Sequence, residues 1–321
     1  MSAAVRAFQP PLGSFRVMLA LGVALGATGL TLAVLLCQTV LIPLASACLQ
    51  ACARDPMLMH LARGGAALSV VAVASGLVAG LVVLGKQLRS TRRLVRRMEC
   101  RATRPPQRLA RLATQLGVEE RITYVLDPAP YAFCYGFLSP RICLSSGMGR
   151  TLTLGELKAV LLHEVIHLQH RDPLKVLISR TMAASLFLLP VAAQLRDRYL
   201  LDKELAADAE VVDRLSPKPL AAAILKICRS SALRPVSELA AAAVGPFNVV
   251  GERIRQLAGP GQQRAPLGQW RIAASLTAVA IVLVVSAGSS YAAGRSSPAG
   301  GSCCATNGTC NPSGGGLAQP R

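Results

Sequence analysis

The stretch TLGELKAVLLHEVIHLQHRDP, residues 153–173, decides how the rest of the chain is read. It contains an H-E-x-x-H pattern at His163, Glu164 and His167. With four His in 321 residues, composition alone produces such a match in roughly one sequence in 700. Thr153 and Glu156 have the spacing of a capping box, with Thr153 as N-cap. Leu157, Val160, Leu161 and Leu168 then recur at helical spacing, which predicts a helix over Leu154–Arg171. His163 and His167, four residues apart, share a face of that helix and can offer two imidazole nitrogens to one zinc ion. Glu164 is rotated by about 100° from His163, beside the metal and not on it. There it can take a proton from zinc-bound water, whose pKa falls to about 7. It can then pass that proton to a leaving amine once a carbonyl has been attacked.

Such a site needs a third protein ligand. His170 fails, because seven residues of straight helix separate its Cα from that of His163 by about 10.5 Å. The remaining histidine, His60, lies in a short loop read as the other side of a membrane. The ligand is therefore expected to be a carboxylate from another segment. Glu204 and Asp208 lie four apart on a predicted helix, Arg198–Arg214. Glu204 is read as the third ligand and Asp208 as the carboxylate that orients a ligand histidine. One zinc per chain follows. An exposed acidic helix face is the plainer reading of these two residues, and the incomplete metal set outweighs it.

Composition places this chemistry at a membrane. Apolar residues make up 52% and charged residues 16%, with mean hydropathy +0.44 and net charge +19. These values exclude a disordered or collagen-like chain, and so few charges cannot cover a soluble globule of this size. Three uncharged runs, Val17–Cys37, Gly64–Gly85 and Ile272–Gly294, are each long enough to span a bilayer. A dense basic run follows the second, from Lys86 through Arg111, and marks the cytoplasmic side. It lacks interleaved aromatics and any DNA-binding motif, so direct nucleic-acid binding is not expected. The lipid bilayer is its expected partner.

The organisation that results has a cytoplasmic N-terminus at 1–16 and two transmembrane helices with a short outer loop at 17–85. A cytoplasmic basic linker and metallopeptidase domain occupy 86–271. A transmembrane helix at 272–294 leads to a disordered extracytoplasmic tail at 295–321, which holds Cys303, Cys304 and Cys310. Cys100, Cys134, Cys143 and Cys228 are expected as free thiols on the reducing side. Residues Val176–Leu195 are largely apolar, but a single crossing there would put Glu204 across the bilayer from His167. They are read as making no net crossing, whether as a re-entrant hairpin, a helix buried in the domain or one lying at the membrane surface. The expected fold class is a membrane protein, mostly α with a small β-sheet. Ile122–Leu126 and Arg141–Ser145 are the strand candidates. Leu109–Leu116, Pro219–Ser230 and Val249–Leu257 are further helices.

Three segments carry a resemblance: HEVIHLQHRDP from His163, ELAAD from Glu204, and AFCYGFLSPRICLSS from Ala132. On these the chain resembles the BlaR/MecR-type membrane zinc metallopeptidases, gluzincins with HtpX-type and CAAX-type proteases as relatives. The resemblance spans roughly residues 105–260 with the flanking runs. It implies a gluzincin-like domain between transmembrane helices, with zinc on His163, His167 and Glu204, and Glu164 as general base. It also implies that an edge strand at Ala132, Phe133, Cys134 and Tyr135 binds peptide as an added strand. Two features depart from it. Only about 27 residues follow the last apolar run, with no Ser-x-x-Lys nucleophile, so β-lactam sensing by this chain alone is not expected. The His-Pro pair that precedes an Arg-Ile segment in HtpX-type relatives is replaced by Gly245-Pro246, before Arg253-Ile254. Arg253 is read as structural and the oxyanion donor is unassigned.

The function read from the sequence is a zinc endopeptidase at the cytoplasmic membrane face, cleaving a protein or peptide substrate. A transcriptional repressor is the substrate class that the BlaR resemblance suggests; quality control of membrane proteins is what the HtpX resemblance suggests. The competing reading is a non-catalytic membrane signalling or scaffold protein with a retained zinc site. The presence of Glu164, which has no ligand role, speaks against it.

Overall fold

The computed structural model describes residues 15–24, 56–232, 247–259 and 268–281. Helix α1 (Phe15–Ala24) is the described part of the first apolar run, and α10 (residues 269–281) of the third. The remainders of both runs, residues 38–55 between the first two and the cysteine-containing tail lie outside the described residues. Residues 56–63, read from the sequence as part of the outer loop with His60, are instead the first turns of a helix.

The second apolar run and the basic run after it form one helix, α2, Pro56–Arg101. Sequence reasoning ended a span at Gly85 and began a linker there. The helix instead continues, because residues 86–101 contain neither Gly nor Pro and are rich in Arg, Leu and other strong helix formers. Two prolines at 105 and 106 follow its end. At about 1.5 Å per residue α2 is about 69 Å long, more than twice a hydrocarbon core of about 30 Å. Its portion Val71–Arg101 is, among the described residues, the one helix long and apolar enough to cross a membrane. Leu77, Val78, Leu81 and Val82 are exposed on it.

After β1 (Ala102–Thr103) and α3 (Gln107–Gln115) come β2 (Ile122–Val125), β3 (Ala132–Tyr135) and β4 (Arg141–Ser145). They form a mixed sheet in the order β1-β2-β4-β3. β2 and β4 are parallel, with Ile122 opposite Ile142. β3 returns antiparallel on β4, with Phe133 opposite Cys143. Its other edge has no strand partner among the described residues. Gly136 supplies the turn after β3 at φ +87°, where a Cβ would approach Ser139 O to 2.9 Å.

The short α4 (Ser146–Thr151) leads into α5 (Leu154–Gln169), which carries the His-Glu-His pattern. The capping box forms as its residues predict. Thr153 N donates to Glu156 Oε2 at 2.8 Å, and Glu156 N donates to Thr153 Oγ1 at 3.4 Å. Glu156 also pairs with Lys226 at 2.8 Å. α5 is buried on all sides, as its all-round hydrophobicity requires. Leu157, Val160, Leu161 and Val165 pack with Tyr124, Ile142 and Leu144 of the sheet. Ala159, Leu162 and Ile166 pack with Ala207, Val211, Leu220 and Ile224.

α5 ends at Gln169, and Arg171 adopts a left-handed φ of 53°. α6 (Asp172–Ser185) and α7 (Pro190–Arg214) form a helical hairpin reversed at residues 186–189. The apolar stretch Val176–Leu195 is thus split between two helices that run out and back, and is not one continuous helix. Pro190, at the first helical position, starts α7, eight residues before the predicted Arg198. α8 (Pro217–Ala232) and α9 (Phe247–Ala258) close the far side of α5.

This packing makes a contrast within α5. Leu161→Ala, at a fully buried position, lowers unfolding free energy by about 2–5 kcal/mol. Leu154→Ala, at an exposed position of the same helix, stays within about 0.5 kcal/mol. Denaturant unfolding of both variants in detergent measures the difference, and equal effects contradict the central placement of α5.

Candidate metal centre

Burial of α5 carries three ionisable side chains inward with it. His163, Glu164 and His167 are 4%, 7% and 5% exposed. Buried ionisable groups are costly unless partnered, and the partners come from α6, α7 and α9. Glu204 arrives on α7 because the hairpin returns the chain to the side of α5. Its Oε2 lies 3.3 Å from His163 Nε2, and its Oε1 lies 3.6 Å from His167 Nε2. The two Nε2 atoms are 3.0 Å apart, and the two rings are perpendicular. Zinc bonds of about 2.0–2.1 Å to nitrogen and carboxylate oxygen, at tetrahedral angles, give ligand–ligand edges of about 3.3–3.4 Å. The three separations bracket that edge. Two imidazoles and one carboxylate are also the donor set of an open, catalytic zinc site, so the residues present fit zinc.

Each histidine has a carboxylate behind its other nitrogen. Asp172 Oδ2 lies 2.6 Å from His167 Nδ1. Asp208 Oδ1 lies 2.9 Å from His163 Nδ1, although not in line for a full hydrogen bond. Such pairs fix which nitrogen faces a metal. Arg253, from α9, holds Asp208 in a fork: Nε to Oδ2 and Nη2 to Oδ1, each 2.8 Å. Its Nη1 is 3.3 Å from Glu204 Oε2, and Lys203 pairs with the other Glu204 oxygen.

These pairings set the protonation states. Burial disfavours the charged form of Glu204, but Lys203 first, then the two histidines, hold the carboxylate well below its ordinary range. Asp208 is likewise lowered, against burial, by Arg253 and His163. Asp172 is lowered mainly by His167. For His167, burial and the Lys203 charge both act downward, yet Glu204 and Asp172 raise it to about 9.

The sequence-derived set is brought together as follows. His163, His167 and Glu204 converge, with their ligating atoms all within 4.8 Å of one another. Glu164 lines the same cavity, of about 810 Å³. Asp208 stands behind His163. Ala132, Phe133, Cys134 and Tyr135 form the edge strand β3, and all four line that cavity. His170 stays out: it is 40% exposed and sits 3.7 Å from Glu210, as its spacing from His163 requires. Cys100, Cys134, Cys143 and Cys228 are free thiols, and burial pushes Cys143 up to about 12. Sequence reasoning missed Asp172 and Lys203 and placed Arg253 outside the site. Asp172 was legible as the acid that begins the helix after α5, five residues beyond His167. Lys203 was legible as the neighbour of Glu204, with whose carboxylate it pairs; Arg253 was noted in the sequence, but only the fold brings it to the metal set.

A protein-family model described as BlaR1 peptidase M56 matches residues 49–257. The match runs from before α2 into the last turn of α9 and covers well over half of the chain.

Removing a carboxylate behind a histidine weakens metal affinity about 10–100-fold. Asp172→Asn and Asp208→Asn are each expected to do so in competition with a chromophoric zinc chelator; unchanged affinity contradicts the orienting role. In the metal-free protein, His167 titrates at about 9 instead of its ordinary 6.5. That charge stabilises the metal-free fold fully below pH 6.5, and its contribution is lost as pH rises through about 9. Zinc affinity takes the opposite trend and rises over that window, since binding needs the neutral imidazole. Calorimetry at pH 7 in buffers of different ionisation enthalpy should read proton release on zinc binding, and none is read if His167 is already neutral.

Proposed function

The chain belongs to the BlaR1 peptidase M56 family, and from that premise we propose that it is a membrane-bound zinc endopeptidase cutting protein substrates at the cytoplasmic membrane face. The observation that carries the proposal is the convergence of His163, His167 and Glu204 inside a cavity that Glu164 also lines, with a strand edge that has no strand partner among the described residues.

In this reading His163, His167 and Glu204 hold one zinc. Zinc in such a site polarises a carbonyl and lowers the pKa of water to about 7. Glu164, one residue along α5 from a ligand histidine, accepts the proton of the attacking water and delivers it to the departing amine. An extended peptide adds to the free edge of β3, with Ala132–Tyr135 supplying backbone pairing. That edge orients the substrate past Glu164 without dependence on its sequence. Asp208, clamped by Arg253, and Asp172 keep the two imidazoles in place. Regulatory cleavage, with a transcriptional repressor as one substrate class, and membrane-protein turnover both fit this chemistry. Residues 17–85 and 272–294 anchor the domain, and the basic turns after Gly85 meet anionic headgroups.

The test compares the detergent-purified protein with its Glu164→Ala variant, using an unfolded casein substrate and self-cleavage. Both proteins are expected to retain about one zinc per chain. Cleavage should fall by at least about 100-fold in the variant, the span typical of general-base loss, and vanish with a chelator. Zinc in both with equal cleavage contradicts the role of Glu164. Zinc in both with no cleavage favours the non-catalytic scaffold.

A further inference from the structure

The hairpin formed by α6 and α7 has a tip that the metal chemistry does not use. No charged residue lies between Arg180 and Arg196. At the turn, Phe187 and Leu188 are 52% and 49% exposed. We propose that this hairpin enters the bilayer from the side of the basic run, as a re-entrant element packed along α2. The proposal rests on the reading of α2 as a membrane helix.

Contact with α2 sets the depth of the tip. Gly76 and Gly80, in the middle of the apolar run, lie so close to Ser185 of α6 that neither has room for a Cβ. Small residues four apart are what lets two helices approach in lipid. Gly22 of α1 lies against the flexible tip of the Met182 side chain. The end of α6 therefore sits at the level of the apolar centre of α2.

The change from apolar to charged occurs at one level on all three helices. Arg180 of α6, Arg196 and Asp197 of α7, and Val83 of α2 line one small cleft of about 380 Å³. Val83 is three residues before Lys86, the first charge of α2. From Arg180 to Leu188 is about 12 Å of helical rise, less than half of a hydrocarbon core of about 30 Å. The hairpin is thus too short to cross, and the pair of boundary arginines can reach the headgroups from both legs.

Several backbone groups of the turn are paired internally, as lipid favours. Leu186 N donates to Met182 O at 2.9 Å, Leu189 N to Leu186 O at 2.8 Å, and Ala192 N to Leu189 O at 2.9 Å. Pro190 has no N–H to satisfy. Val191 N, which starts α7 without a backbone partner, donates to Ser275 Oγ of α10 at 3.2 Å. Gln194, the polar side chain of the second leg, accepts from Gly268 N at 3.2 Å.

The metal cavity is placed by the same contacts. Ser185 lies about 20 Å along α6 from Asp172, while Gly76 lies about 15 Å along α2 from Lys86. The carboxylate behind His167 is then about 5 Å beyond the charge boundary by the same rise. Gln87, Thr91 and Leu94, the first turns of α2 past Lys86, line the cavity as that level requires.

The test is tryptophan depth in the full chain, reconstituted in phosphatidylcholine vesicles. The single tryptophan, Trp270, is first removed as Trp270→Phe. Phe187→Trp is added to that background, with Leu188→Trp as an independent second probe and Leu77→Trp on α2 as the depth reference. Lipids brominated at mid-chain are expected to remove most of the emission of the Phe187→Trp and Leu77→Trp proteins alike, while aqueous iodide leaves both unchanged. Leu188→Trp should follow them. Strong iodide quenching of both hairpin probes, with the Leu77→Trp emission still lost to brominated lipid, overturns the inserted hairpin and leaves the membrane reading of α2 standing. Iodide quenching of the Leu77→Trp protein overturns that reading and this proposal together. Neither outcome bears on the zinc site, whose cleavage assay is separate.

Discussion

Buried charge must be partnered, and that constraint organises the catalytic half of this molecule. α5 is an interior helix, with the sheet on one side and α7, α8 and α9 on the other. Placing His163, Glu164 and His167 on it commits the fold to supplying opposite charges from each neighbour. Asp172 comes from α6, Glu204 and Asp208 from α7, and Arg253 from α9. Each buried ion pair of this kind gains little net stability, because desolvation offsets the attraction. What it gains is placement: two Nε2 atoms and a carboxylate are held at the edge lengths of one coordination sphere before any metal arrives. The stability comes instead from the aliphatic contacts of Leu161, Ile166, Ala207 and Leu220, each at most 1% exposed.

The hairpin is the piece of topology on which both the chemistry and the membrane setting depend. Because α6 runs out and α7 runs back, Glu204 reaches His163 and His167. The same reversal presents an apolar turn alongside Gly76 and Gly80 of α2. A single straight helix there would have carried Glu204 away from the histidines, so the reversal completes the ligand set. β3 adds a third element at the same cavity that Glu164 lines, a backbone edge with no strand partner among the described residues.

Much of this was legible in the sequence where the signal is local. Thr153 and Glu156 announce the start of α5, and the four-residue spacing of His163 and His167 fixes their shared face. Arg141–Ser145 was read with the bounds it has in the structure, because a short apolar run between turn residues has few alternatives. Glu204 was found by asking what the histidines lacked. The misses are long-range or concern where an element stops. The basic run was read as a linker with no secondary structure assigned to it, and Arg and Leu propagate α2 through it to Arg101. Arg253 was invisible as a site residue, since an α9 guanidinium reaches the ligands only through tertiary packing, whereas Lys203 sits next to Glu204 in the sequence and was passed over. Asp172 stood in plain view next to the motif and was missed because it begins a new helix.

The central claim is that His163, His167 and Glu204 form the metal-binding set. X-ray absorption at the zinc edge, on the zinc-loaded protein and its Glu204→Ala variant, tests it most directly. The account predicts a shell of nitrogen and oxygen only, at about 2.0–2.1 Å with the outer scattering of two imidazoles, and loss of one protein oxygen from that shell in the variant. A sulfur neighbour at about 2.3 Å would instead bring in Cys134, the thiol between Phe133 and Tyr135 in the same cavity, and would contradict the assignment. So would a shell unchanged by the loss of Glu204.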